Sequence, residues 1–152
     1  MNTSKQPMLE LALSIATEAH NGQFDKAGVD YIEHPIYVAS QVDTEEEKAV
    51  ALLHDVIEDS PFTAEELLLA VLPETVVAAV QILSKKKGQD YQTYLENVKS
   101  NPLARVVKLA DLKHNSDLSR LRSVTDNDLE RLEKYKRAID YLSMLLSFFM
   151  LY

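Results

Sequence analysis

Apolar residues recur at three- and four-residue spacing along almost the whole chain, and very little interrupts them. Only three glycines and five prolines occur in 152 residues. That is too little turn chemistry for a sandwich or barrel of many short strands. No stretch alternates as a half-buried strand does. The chain is therefore expected to be all-α, with about seven or eight helices in one domain over residues 1–152.

The punctuation supports that count. A first helix begins near Pro7 and runs through Leu9, Leu13, Ala16 and His20 to Gly22. Residues Asn21 to Glu33 hold two of the three glycines and read as a loop. His34-Pro35 opens a second helix through Ile36, Val38 and Ala39, because proline suits a first turn whose N–H has no helical partner. Asp43 or Thr44 caps a third, which is expected to run unbroken past His54 to Ser60-Pro61. Thr63 with Glu66 is a capping box for the next. Further helices start at Pro73, near Tyr91, at Asn101-Pro102 and after Thr125.

Composition narrows the function classes. There is no cysteine, which excludes disulfides, thiolate metal sites and a cysteine nucleophile. The formal net charge of −8 argues against a nucleic-acid partner, because such binding rests on neutralising many phosphates. A phosphorylated small molecule stays open, since a local basic pocket or a metal can reverse the field at a site. The apolar tail from Tyr141 to Tyr152 is too short to span a bilayer, so no membrane partner is expected. It reads as the buried or homodimer-forming end of a last helix. The N-terminus lacks the apolar core of a signal peptide, and a cytoplasmic protein is expected.

Polar residues embedded in apolar helices are the chemical signal. His54-Asp55 lies inside Ala51-Leu52-Leu53-His54-Asp55-Val56-Ile57-Glu58-Asp59. Burying a carboxylate without a partner is costly, so the pair is expected to meet a cation or to line a cleft. Glu58 follows His54 by four residues and Asp55 by three, which places it on the same face of an unbroken helix. Val106-Val107-Lys108-Leu109-Ala110-Asp111 repeats the pattern, with Lys108 three residues before Asp111 and Asn115 four after. His114 lies at an offset that leaves its role open. His34, at a helix start, is a third candidate. Imidazoles and carboxylates from three segments make a nitrogen–oxygen site for manganese, iron or zinc. Such an ion lowers the pKa of a bound water and polarises a phosphoryl oxygen.

These blocks together resemble the hydrolase domain of the RelA/SpoT alarmone enzymes, within the HD metal-dependent phosphohydrolase superfamily. His20-Asn21-Gly22-Gln23, Tyr31-Ile32, His34-Pro35, the His54-Asp55 run and Val107-Lys108-Leu109-Ala110-Asp111 fall in the family's order, from about residue 8 to 122. The resemblance implies an all-α HD-domain bundle with one divalent ion, usually Mn²⁺. It implies His34, His54, Asp55 and Asp111 as ligands, and Glu58 and Asp59 as the acids that position or activate the attacking water. It implies a phosphorylated nucleotide as substrate, guanosine tetra- or pentaphosphate, losing its 3′-pyrophosphate. Asn115 matches an asparagine near the nucleotide. Lys26, Tyr31 and Lys108 are the further candidates for substrate contact. No synthetase is expected.

Two positions depart from the family pattern. Asp25 stands where a loop arginine is expected, and Leu112 follows the metal aspartate in place of another. Lys26 supplies charge but not the planar fork of a guanidinium. Three readings follow: an alarmone hydrolase, the same metal site acting on another phosphate ester such as a nicotinamide dinucleotide phosphate, and a nucleotide-binding sensor without turnover. Lys85 to Lys87, Lys113, Arg120 and Arg122 read as solvated charges, Tyr91 and Tyr94 as packing residues, and Phe24 as a stacking candidate.

Overall fold

Two reciprocal capping boxes start helices where the threonines stand. Thr44 Oγ1 accepts the Glu47 N–H at 3.1 Å while Glu47 Oε1 accepts the Thr44 N–H at 3.0 Å. Thr63 and Glu66 repeat the exchange at 3.2 Å in both directions. Each box satisfies N–H groups that the first helical turn leaves without partners. Asn101 caps the helix that Pro102 opens, its Oδ1 accepting the Ala104 N–H at 3.0 Å.

The computed structural model describes the backbone of residues 5–150 and the side chains of residues 7–144. It contains α1 (Lys5–Ala19), α2 (Glu33–Ser40), α3 (Glu45–Leu53), α4 (Val56–Asp59), α5 (Ala64–Leu69), α6 (Glu74–Leu83), α7 (Tyr91–Ser100), α8 (Pro102–Asn115) and α9 (Asp126–Met150). A 3-10 turn at Leu118–Arg120 joins the last two. No strand occurs among the described residues, and the backbone pairing of Phe24 with Asp30 is an isolated bridge. The all-α expectation holds.

The extra helix comes from one break. The third helix does not run unbroken through His54-Asp55. It stops at Leu53, where His54 caps it with an N–H that returns three residues to Ala51 O at 3.5 Å. Asp55 adopts φ −102° and ψ 0°, and α4 starts afresh behind it. The mid-helix placement of the pair is therefore corrected to a junction. Its consequence is spatial: residues on either side of the break no longer share one continuous helix face.

α3 is the centre of the core. Ala49, Val50, Ala51, Leu52 and Leu53 are all buried, and α1, α2, α6 and α8 pack around them. Leu53, Leu67, Leu112 and Leu142 are fully buried, each contributing about 1.5–3 kcal/mol by leaving water. The buried stripe of α1 is Ala12, Ile15 and Ala16, continued by His20 just past its end, so Leu13, at 40% exposure, points outward against expectation. Ile36 is likewise exposed while Val38 and Ala39 are buried. Small residues on α1 and α3 let the backbones approach closely, which selects the alanine face over the leucine face. Of the apolar tail expected to pack from Tyr141 to Tyr152, residues 145–152 lie outside the described side chains; before them, Leu142 is buried and Tyr141 packs on the core. No helix among the described residues is long and apolar enough to cross a membrane.

One residue holds an unfavourable backbone. Val71 has φ 68° and is 88% exposed in the turn between α5 and α6. A β-branched residue in the left-handed region costs about 1–3 kcal/mol, and no side-chain burial offsets it here. Val71→Gly is expected to raise stability by about 1 kcal/mol after the added freedom of the unfolded chain is subtracted. Urea unfolding of both proteins measures this, and an unchanged or lower midpoint would show that the turn carries no strain.

Candidate active site

Three segments converge on one small volume. α2 contributes His34 one residue after its start, the α3–α4 junction contributes His54 and Asp55, and α8 contributes Asp111 from its third turn. One ligand atom from each of His34, His54 and Asp111 lies within 4.8 Å of the others, and all three residues are buried. His34 Nε2 stands 2.7 Å from Asp111 Oδ1. His54 Nε2 stands 3.4 Å from the same oxygen and 3.0 Å from Asp55 Oδ2.

The backbone orients His54. Its Nδ1 lies 2.6 Å from the Ala51 carbonyl, so Nδ1–H donates there and Nε2 faces the carboxylates. Despite the short distances, His54 Nε2 is buried with no hydrogen-bond partner in line. A buried ring nitrogen left unpartnered between two carboxylates has the donor set a divalent cation takes, and the nitrogen–oxygen ligands suit manganese, iron or zinc. The residues present therefore fit a metal ion. In their own mutual field, burial pulls the proton affinity of His54 down, but Asp55 and Asp111 outweigh it and hold the ring well above its ordinary value.

Asp111 is the hub of the cluster. Its Oδ1 also accepts Asn115 Nδ2–H at 3.1 Å, and its Oδ2 accepts Lys108 Nζ at 3.1 Å. Burial alone would raise its pKa, yet Lys108 and the two histidines drive it well below the ordinary carboxylate range. Lys108 is thus turned to Asp111, with its ammonium 5.4 Å from the centre of the Tyr94 ring, and its own pKa is raised, chiefly by Asp111 acting against burial. Its place in the structure is that of a counter-charge to a buried acid rather than a free cation in the cleft.

Asp55 is held by Tyr31, whose hydroxyl donates to Oδ2. Burial first, then the charge of Asp55, raises the Tyr31 pKa, so the hydroxyl keeps its proton. Tyr31 packs in turn on His20 with ring centres 4.9 Å apart, and His20 Nδ1 lies 2.8 Å from Gln23 Oε1. Gln23 Nε2–H donates to the Asp59 carbonyl at 2.9 Å, tying the loop to the end of α4. Gly22 makes this arrangement possible, since its φ of 82° turns the chain back directly after α1.

The two acids of α4 are placed differently. Glu58 Oε1 accepts the Lys85 N–H at 2.7 Å, which anchors it to the loop after α6. The expectation that it shares a helix face with His54 fails at the junction. Asp59 is exposed, yet partial desolvation and then the charges of Asp55 and Glu58 push its carboxyl up to about 6, against a smaller pull from His54. A carboxyl with that proton affinity can accept and return a proton near neutral pH.

A cleft of about 330 Å³ opens beside Tyr31 and Asn115, lined also by Phe24, Lys26, Arg120 and Arg131. Its cations are matched by acids. Lys26 Nζ lies 3.0 Å from Asp128 Oδ1, Arg131 reaches the same oxygen at 4.0 Å, and Arg120 lies 3.7 Å from Asp25 Oδ2. Asp25 Oδ1 accepts the N–H groups of Ala27 and Val29, both at 2.9 Å, so this residue organises its own loop. Phe24 is 63% exposed at the rim, open to a stacking partner. Tyr94 is buried and donates to the Leu83 carbonyl at 2.9 Å, which makes it a packing residue as expected. Arg131 and Asp128 were not among the sequence candidates. Asp128 was detectable, because Thr125 with an acid three residues on is a capping signal, and both partners exchange bonds there.

A helical bundle that gathers two histidines and two aspartates from α2, the α3–α4 junction and α8 has the architecture of an HD-domain protein. No protein-family model matches the chain. Individual proteins do. The chain is 36% identical over 134 residues to guanosine-3′,5′-bis(diphosphate) 3′-pyrophosphohydrolase MESH1 of Danio rerio, covering 79% of this chain and 74% of that protein. It therefore belongs to the RelA/SpoT-type (p)ppGpp hydrolase family. It is also 40% identical over 115 residues to a guanosine-3′,5′-bis(diphosphate) 3′-pyrophosphohydrolase of Haemophilus influenzae, across 66% of this chain. It is 37% identical over 122 residues to the bifunctional (p)ppGpp synthase/hydrolase SpoT of Escherichia coli, across 70% of this chain. The chain spans 17% of the length of each of these two bacterial relatives. A solved structure of a metazoan ortholog of SpoT aligns with a TM-score of 0.73 over 89% of this chain and 85% of that one. At 24% identity that likeness speaks for the fold alone.

Proposed function

We propose that residues 1–152 act as one HD-type domain that removes the 3′-pyrophosphate from guanosine tetra- or pentaphosphate with the help of a divalent ion, Mn²⁺ being the ion the family implies. The observation that carries the reading is the buried, unpartnered Nε2 of His54 between Asp55 and Asp111, with His34 across from it. The activity printed for the MESH1 relative, which matches most of both chains, supports the choice of substrate.

His34, His54, Asp55 and Asp111 would hold the ion. When bound, it supplies Lewis acidity toward a phosphoryl oxygen and makes water acidic enough to attack at neutral pH. The protein's own groups do the rest. Tyr31 O–H fixes Asp55 Oδ2, the oxygen that faces His54 Nε2, and Lys108 occupies Asp111 Oδ2, which leaves Asp111 Oδ1 to His34 and His54. Asp59 accepts a proton from the attacking water, as its raised proton affinity suits. Glu58, anchored on Lys85 N–H, keeps the end of α4 in place. Phe24, Tyr31 and Asn115 face the nucleoside in the cleft, and Lys26 meets phosphate when it leaves Asp128.

The test is product formation from guanosine tetraphosphate with added Mn²⁺ and with a chelator. GDP and pyrophosphate are expected only with metal. No product from protein shown to hold metal would overturn the alarmone reading. A second reading then takes over: the same site acting on a less charged phosphate ester, such as a nicotinamide dinucleotide phosphate. It is favoured by the pairing of every cleft cation named above with an acid, which leaves little surplus positive charge for a tetraphosphate. Phosphate release from that ester in the same panel separates the two.

A further inference from the structure

Two histidines of the site need the same thing, and they obtain it differently. A ring nitrogen can offer a lone pair to a metal only if the ring's proton sits on the other nitrogen, and a hydrogen-bond acceptor at that other nitrogen keeps it there. For His54 the acceptor is the Ala51 carbonyl. Among the described residues His34 Nδ1 makes no hydrogen bond to a backbone carbonyl. Its neighbour is another imidazole: His34 Nδ1 and His114 Nδ1 stand 2.7 Å apart. At that separation one nitrogen must carry a hydrogen and the other must not.

His114 is built to hold that position. It follows Asp111 by three residues on α8 and meets His34 edge to edge in nearly one plane, with ring centres 5.0 Å apart and planes at 9°. Tyr37, from α2, covers one face of the ring, with centres 4.1 Å apart. Two residues of the helix that carries His34 thus fix the ring, one at its edge and one on its face. We propose that His114 is a positioning residue: its Nδ1 accepts the Nδ1–H of His34 and so directs the lone pair of His34 Nε2 toward the metal. The inference rests on the metal-site reading above.

The proton count is simple. With a cation at Nε2, His34 carries its single ring proton on Nδ1, and His114 carries its own on Nε2. Without a cation, His34 Nε2 is 2.7 Å from Asp111 Oδ1 and donates a hydrogen bond to that carboxylate. A neutral His34 then has a bare Nδ1, so the N–H···N bond runs from His114 to His34 without metal and from His34 to His114 with it. A merely packing role for His114 would show no such dependence.

Two variants separate hydrogen bonding from packing. His114→Phe keeps a flat ring stacked on Tyr37 and beside His34 but removes the acceptor. His114→Gln gives up the ring and keeps an acceptor oxygen. Mn²⁺ affinity, read from the electron paramagnetic resonance of free Mn²⁺, is expected to fall about 10–100-fold in His114→Phe and to recover most of that in His114→Gln. Equal affinity in wild type and His114→Phe would overturn the proposal. So would a loss in both variants that tracks melting temperature, since that is the mark of packing. Wild-type protein that takes up no Mn²⁺, Fe²⁺ or Zn²⁺ would instead sink the metal-site reading, and this inference with it. A measurement on the wild type alone covers the case in which a variant does not fold. In Zn²⁺-loaded, ¹⁵N-labelled protein, a scalar coupling between the two Nδ1 nuclei is expected, with the proton assigned to His34. A proton on His34 Nε2, or no coupling, would overturn it.

Discussion

Asp111→Asn is expected to reduce metal-dependent turnover by about 10³-fold and to destabilise the folded protein by about 3 kcal/mol. The two effects have different origins. Oδ1 is the oxygen that His34, His54 and Asn115 share, so loss of its charge removes the site's central anion. Oδ2 is the counter-charge of Lys108, whose side chain is only 17% exposed. Asparagine keeps the shape but cannot accept from both sides, and it leaves an ammonium with no anion. Urea unfolding in the presence of chelator isolates the second effect, because no metal then contributes. An unchanged midpoint would mean that the Lys108 pair adds nothing to stability, and full activity would remove Asp111 from the site.

The second large effect is expected at Asp59. Asp59→Asn should lower turnover by about 10²–10⁴-fold, the range for losing a group that moves a proton in the transition state. It should also change how the metal-free protein responds to pH. The folded carboxyl is raised to about 6 from an ordinary 3.8 by desolvation and by the charges of Asp55 and Glu58. A raised carboxyl favours the folded state below pH 3.8, and that advantage is lost as pH climbs through 6. Melting temperature of the metal-free wild type should therefore fall across this interval relative to Asp59→Asn. The variant should gain on the wild type as pH rises. Parallel curves would show that Asp59 ionises in the fold as it does in the unfolded chain.

Much of the helical frame could be read from residue order. The starts at Thr44, Thr63, Asn101-Pro102 and Thr125-Asp126 follow from side chains that satisfy N–H groups one turn on, and those contacts are local. The failure at His54-Asp55 is instructive. Nothing in Ala51 to Asp59 resembles a breaker, since there is no glycine or proline among them. The break follows from where the two side chains end up. His54 bonds back to Ala51, and Asp55 is drawn to the Tyr31 hydroxyl, a partner 24 residues away. Leu13 and Ile36 fail for a related reason: each helix has apolar residues on more than one face, and only packing against α3 selects among them.

The candidate site divides along the same line. By itself the sequence determined which residue types are available: no sulfur ligand, few histidines, and acids embedded in apolar runs where solvation is poor. It also supplied the order of blocks that the family shares. What it could not determine was the set of distant partners. That Lys108 neutralises Asp111 rather than facing the cleft depends on Tyr94 of α7 lying beneath it. That Asp25 pairs with Arg120, and Lys26 with Asp128, depends on the turn after α8 folding back on the loop after α1. That His114 meets His34 depends on α2 and α8 running side by side. Local capping and periodicity act within one turn of chain, so order along the chain suffices for them. The Lys26–Asp128 pair and the contacts of His34 with Asp111 and His114 are set across 77 to 102 residues of separation, and only the packed helices bring those groups together.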